Sequence, residues 1–227
     1  MKKQFITLLL CLIAMAGQAQ TDTLRHEVLL ETDSGNIRVQ LYTETPKHRD
    51  NFLKLTREGK YDGVLFHRVI KNFMVQSGDM GSKTAKSGQQ LGDTPETYSI
   101  PAEIVYPKFL HKRGALAAAR EPDDVNPEHA SSASQFYIVW GIRYSDKQLD
   151  WAQGRLDEYT KGTVKMSPEV REIYKNIGGT PHLDATYTVF GEVVEGLEIV
   201  EKIQSAVCDE NDRPNVDIRI IRATVVK

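Results

Sequence analysis

The chain has 227 residues, 40% hydrophobic and 26% charged, with a formal net charge of −2. That length suits one large domain or two small ones, and the composition is that of a soluble globular protein able to bury a core. The near balance of charge, with no basic run longer than a pair after the first residues, excludes an electrostatic footprint for nucleic acid or anionic lipid.

The N-terminus carries an address. Lys2 and Lys3 form a short positive region, an apolar run extends from Phe5 to Met15, and Ala16-Gly17-Gln18-Ala19 supplies small residues. The run is too short to cross a hydrocarbon layer of about 30 Å, and it reads as a secretory signal cleaved after Ala19, with Ala16 as second choice. Residues 1–19 are thus expected to be a leader, 20–27 a short linker and 28–227 the working domain, exported and without a membrane span. Cleavage removes Cys11 and leaves Cys208 as the one thiol. No intramolecular disulfide is then available, so stability must rest on the core.

The first elements read as a β-hairpin. Val28 to Thr32 and the alternating run Ile37 to Tyr42 flank Asp33-Ser34-Gly35-Asn36, a turn rich in residues that tolerate positive φ. Thr45-Pro46 opens a helix with an apolar face of Phe52, Leu53 and Leu55, ended by Gly59. Further strands are predicted at 65–70, 73–76, 115–119, 135–140, 186–194 and 216–226, with a short helix inside 193–203. Short strands separated by Gly, Pro and Asp turns point to an antiparallel barrel or sandwich. Residues 145–177 break that pattern. Ser145 to Gln148 fits a capping box ahead of Leu149, Ala152, Leu156 and Tyr159, and Ser167-Pro168 starts a second helix carrying Val170, Ile173, Tyr174 and Ile177. A two-helix insertion at about 141–179 is the economical reading, too short to be a domain.

The densest chemistry lies in Phe66-His67-Arg68-Val69-Ile70-Lys71-Asn72-Phe73-Met74-Val75-Gln76-Ser77-Gly78-Asp79. Strand parity puts Phe66, Arg68 and Ile70 on one side and His67 and Val69 on the other, without saying which side is core. The histidines include no His-x-His or His-Glu-x-x-His spacing, and Asp123-Asp124 with Glu128 and His129 reads as a solvated loop. No metal site or cofactor is expected.

This segment resembles the signature of the cyclophilins, with Phe-His-Arg, a hydrophobic pair, Phe-Met and Gln-x-Gly-Asp in order. The likeness continues through Gly114 to Ala119, Ser134 to Ile138, His182-Leu183-Asp184 and Val189-Phe190-Gly191. The resemblance implies a mainly β fold: a closed eight-stranded antiparallel barrel with two capping helices, here with the helical pair inserted. It implies a peptidyl-prolyl cis-trans isomerase that acts on proline-containing polypeptides; with the leader, the expectation is a bacterial periplasmic enzyme that assists the folding of exported proteins. A proline-peptide binding module or chaperone with incidental turnover is the alternative, and the oligomeric state stays open. By the same resemblance Arg68 is the catalytic arginine. Phe73, Met74, Tyr137 and Leu183 form a pocket for the proline ring, and Gln76 bonds the substrate backbone. Ala119, Arg120 and Gln135 line the groove before the proline, while His67 and Tyr187 stand at the rim. Substrate contact extends to His182, which occupies the position where many eukaryotic members carry Trp. A smaller ring there, with hydrogen bonding that changes with pH near neutrality, implies weak binding of cyclosporin. Ser77 stands where Gly is usual, and Tyr137 and Arg120 where Phe and Asn are common.

Overall fold

The computed structural model describes residues 25–227, so the expected leader lies outside the described residues. The predicted hairpin forms as β1 (Glu27–Thr32) and β2 (Gly35–Leu41), in a register that sets Val28 opposite Val39 and Leu30 opposite Ile37. All four side chains are fully buried, which is what fixes the register: a one-residue slip would turn them to solvent. Gly35 is required at the turn. Its φ is +135°, and a Cβ there would meet the Ile199 side chain at 2.5 Å.

The remaining strands are β3 (Arg68–Ile70), β4 (Met74–Ser77), β5 (Ser99–Ile100), β6 (Ala115–Ala118), β7 (Ser131–Ser132), β8 (Phe136–Val139), β9 (Val189–Glu195) and β10 (Ile220–Val225). Eight of the ten strands make one curled antiparallel sheet in the order β10-β1-β2-β9-β6-β8-β4-β3, and β5 pairs only with β7. That small pair was not visible in the sequence, because two residues are too few to show alternation.

The expected closed barrel is corrected to an open sheet: among the described residues no ladder joins β3 to β10. The seam is held instead by the isolated bridge Leu65↔Arg219 and by the backbone bonds Phe66 N–H to Ile218 O (2.8 Å) and Ile220 N–H to Val64 O (2.9 Å). The chain leaves strand geometry on both sides of this seam. β3 itself faces the 208–214 turn, where Val69 N–H bonds Asp212 O at 2.7 Å and Pro214 has no N–H to offer.

Strand parity then sorts side chains onto two faces. Val69, Val75, Leu116, Ala118, Phe136 and Ile138 point into the main core, whereas Met74, Ala115, Ala117, Tyr137 and Val139 form a second cluster on the outer face. Phe66 departs from the predicted parity. It lies in the main core while Arg68 is exposed, because the chain becomes regular strand only at Arg68.

Two helices cover the core. α1 (Pro46–Arg57) buries Phe52, Leu53 and Leu55, with the Phe52 ring edge-on to Phe136 at 5.3 Å between centroids. α2 (Asp146–Thr160) and α3 (Pro168–Asn176) are the inserted pair, and α4 (Leu197–Gln204) buries Val200 and Ile203. The capping box at Ser145 and Gln148 is formed, and Ser167 accepts from Val170 N–H. The inserted pair packs around Leu149, Leu156, Met166, Val170 and Tyr174 and takes Leu110 of the β-sheet domain into that cluster. Tyr159 and Ile177, predicted on the apolar faces, are instead 44% and 43% exposed. Among the described residues no helix is long and apolar enough to cross a membrane.

Candidate active site

Register brings the sequence-predicted residues together. Arg68 pairs with Gln76 across β3 and β4, Gln76 with Tyr137 across β4 and β8, and Tyr137 with Ala117 across β8 and β6. Directly opposed residues share a face, so Arg68, Gln76 and Tyr137 stand in one row on the outer surface. The Lys71-Asn72 turn, with Asn72 at φ 60°, swings Phe73 back beside Met74.

Arg68 is exposed and presents a planar fork of N–H donors. Its Nη1 donates to Gln76 Oε1 at 3.3 Å, and its Nε lies 3.8 Å from Asp212 Oδ2. Gln76 Nε2 donates to Gln135 Oε1 at 3.0 Å, and Gln135 Nε2 donates to Gly92 O at 2.8 Å. The string of amides fixes the orientation of each head group and leaves the guanidinium with further N–H groups free to donate.

Beside this string lies the apolar wall. Met74 and Tyr137 are 2% and 4% exposed, and Phe73 and Leu183 are half-buried against them. Tyr187 sets its ring edge-on to Tyr137 at 6.0 Å, with the Arg120 guanidinium 4.2 Å above it. Arg120 is committed elsewhere as well: Nε donates to Thr186 O at 2.9 Å, and Nη1 pairs with Asp123 at 2.6 Å. A groove of about 680 Å³ runs on from there, lined in part by Gln76, Ala119, Arg120 and Gln135. Its wall is fixed by Glu96, whose carboxylate accepts from Ser132 Oγ, Ala133 N–H and Ser134 N–H at 2.7–2.9 Å. Sequence reasoning missed Glu96, which sits in an irregular loop with no motif around it.

Two expectations are corrected. His67 is not at a rim. It is 3% exposed, buried behind Arg68 and close to Gly92, since its backbone precedes the regular strand. His182 stacks on Phe73 with centroids 5.8 Å apart and planes at 16°, and burial lowers its pKa to about 4. Its ring is therefore neutral throughout the neutral range, and the expected pH-variable bonding moves well into acid. Ser77, by contrast, poses no backbone difficulty: it is regular strand, and its buried hydroxyl donates to Leu65 O at 2.9 Å.

Burial also lowers the pKa of His48 and His67, despite opposing pulls from Glu103 and Asp79 respectively. A histidine whose folded pKa lies below its unfolded value binds fewer protons when folded, so its contribution is complete above about pH 6.5 and is lost as the pH falls. For His182 the window runs from 6.5 down to about 4, and the loss is roughly 3 kcal/mol at most. Melting temperature is expected to drop across that interval, and less steeply in His182→Gln. A melting temperature flat from pH 7 to 4.5 would contradict this.

A family profile described as cyclophilin type peptidyl-prolyl cis-trans isomerase matches residues 27–225. The chain belongs to the cyclophilin family. A putative peptidyl-prolyl cis-trans isomerase of Staphylococcus aureus is 30% identical over 197 residues, covering 86% of this chain and 88% of that protein. A peptidyl-prolyl cis-trans isomerase-like 2 protein of Rhizopus delemar is 33% identical over 190 residues, where this cyclophilin spans 83% of its own length and 27% of the fungal protein's. A cyclophilin type isomerase of Cryptosporidium parvum shows the same fold, with a TM-score of 0.63 at 22% identity over 90% of this chain and 99% of that one. A second structure of the parasite protein was obtained in the presence of the dipeptide Ala-Pro and matches with a TM-score of 0.60.

Proposed function

We propose that this cyclophilin accelerates rotation about X-Pro bonds in exported polypeptides, with Arg68 acting on the twisted amide. The observation that carries the reading is the placement of an exposed guanidinium, oriented by Gln76, at the edge of a wall built from Phe73, Met74, Tyr137 and Leu183. Amide resonance sets a rotation barrier of about 18–20 kcal/mol. Twisting removes the resonance, so the proline nitrogen regains a lone pair that a fixed N–H donor can meet. A donor that bonds the twisted state more strongly than the planar one lowers the barrier. The chemistry asks for no proton transfer and no nucleophile: the wall holds the ring, and the amide string positions the chain on either side. The leader pattern of residues 1–19 supports export, most simply to a bacterial periplasm, and the groove lined by Ala119, Arg120 and Gln135 supports a polypeptide substrate.

The test is exchange of a short Ala-Pro peptide, followed by NMR line exchange or a protease-coupled assay. Phe73→Ala in the same assay is expected to raise KM strongly while the fold persists. Its ring is half-buried on the outer face, whereas a core phenylalanine would cost about 3–5 kcal/mol of stability on truncation. A collapsed melting temperature in Phe73→Ala, or no acceleration by the wild type, would count against this reading.

A further inference from the structure

The inserted helices reach the apolar wall through a buried polar network that the reaction itself does not require. Tyr174 of α3 and Asp184 are fully buried, His111 is 1% exposed and Tyr137 is 4% exposed. The Tyr174 hydroxyl donates to Asp184 Oδ2 at 2.6 Å. Asp184 Oδ1 accepts from the His111 backbone N–H at 2.8 Å and lies 3.1 Å from His111 Nδ1. His111 Nε2 is 3.0 Å from the Tyr137 hydroxyl. One assignment satisfies every group: Nδ1 carries the proton and donates to Asp184, and Nε2 accepts from Tyr137. The turn of residues 181–183 is held at both ends by the same histidine, because Thr180 N–H donates to His111 O at 2.8 Å. That turn carries His182 and Leu183, and the far end of the network is the Tyr137 ring.

We propose that Tyr174 is a positioning residue for the proline pocket, acting through Asp184 and His111 on Leu183 and on the Tyr137 ring. The proposal rests on the isomerase reading above for its activity readout, and on the network alone for its spectroscopic one. A buried carboxylate that loses one of three donors must reorganise, and here reorganisation moves two elements of the pocket wall. The helical pair is then part of the apparatus that holds substrate, not an ornament on it.

The experiment compares wild type with Tyr174→Phe, Tyr137→Phe, the double variant and Tyr144→Phe. Tyr144 lies edge-on to Tyr174 at 6.3 Å in the same inserted cluster and serves as the control. Tyr174→Phe is expected to lower kcat/KM about tenfold, mainly through KM, with the double variant no worse than the poorer single one. Tyr144→Phe should leave kcat/KM unchanged. In parallel, ¹⁵N and methyl NMR should find an Nδ1 proton on the wild-type His111 ring, and the Leu183 methyl signals displaced in Tyr174→Phe. Additive losses in the double variant would overturn the proposal. So would a Tyr174→Phe protein with a lowered melting temperature but unchanged kcat/KM and Leu183 signals. If the wild type showed no turnover, the isomerase reading would fail on its own, while the tautomer and the methyl signals would still decide whether the network holds the wall.

Discussion

Arg68→Ala is expected to lower kcat/KM for X-Pro exchange about a hundredfold, equivalent to about 2.7 kcal/mol of transition-state stabilisation. The folded structure should survive the change. Arg68 is exposed, its one amide partner Gln76 remains bonded to Gln135, and its contact with Asp212 at 3.8 Å joins two half-exposed side chains. Exposed pairs of that kind contribute about 0–1 kcal/mol. Arg68→Lys separates charge from geometry, since an ammonium keeps the charge but not the planar fork of donors. Recovery of no more than a small part of the activity by Lys would point to the directed N–H. Full turnover in a folded Arg68→Ala protein would remove Arg68 from the mechanism.

Deletion of residues 145–177 is expected to leave a protein that melts without cooperativity or does not stay soluble. The backbone itself would permit the deletion. The two ends of the insertion meet, with Gly179 N–H bonding Ile142 O at 3.0 Å, and Gly141 so close to Gly179 that a Cβ on Gly141 would strike the Gly179 carbonyl oxygen at 1.9 Å. As an insertion between strands, the pair looks removable from the sequence. The structure argues otherwise on two counts. Leu110, 6% exposed, would lose the cover of Leu149, Met166 and Val170, and Asp184 would lose the Tyr174 donor. Exposure of one leucine and loss of one buried hydrogen bond together cost about 2–4 kcal/mol, a large part of the roughly 5–15 kcal/mol that holds a domain folded. A chemical-denaturation midpoint for the deletion protein within error of the wild type would show that the pair is dispensable.

Local pattern was enough for much of this chain. The 33–36 turn, the capping box at Ser145 and the Pro at the start of α1 and α3 are short-range signals, because caps and tight turns are decided by residues three or four apart. The Arg68 to Asp79 motif was legible for a related reason: β3 and β4 form a hairpin, so the row of Arg68, Gln76 and the Phe73-Met74 pair is set within one continuous stretch. Tertiary structure alone decided the rest. Parity along 66–70 could not say which face was core, and the answer came from α1 and α4 covering one side and leaving the other to Met74 and Tyr137. His67 and His182 look like exposed site histidines in sequence, yet His67 lies against Gly92 and His182 stacks on Phe73, and burial lowers the pKa of both. β3 bonds not to β10 but to a turn near Pro214, some 140 residues away in the chain. The link from Tyr174 through Asp184 and His111 to Tyr137 joins four segments with no shared period. Only burial of all four together, where each polar group must find a partner, makes it a single unit.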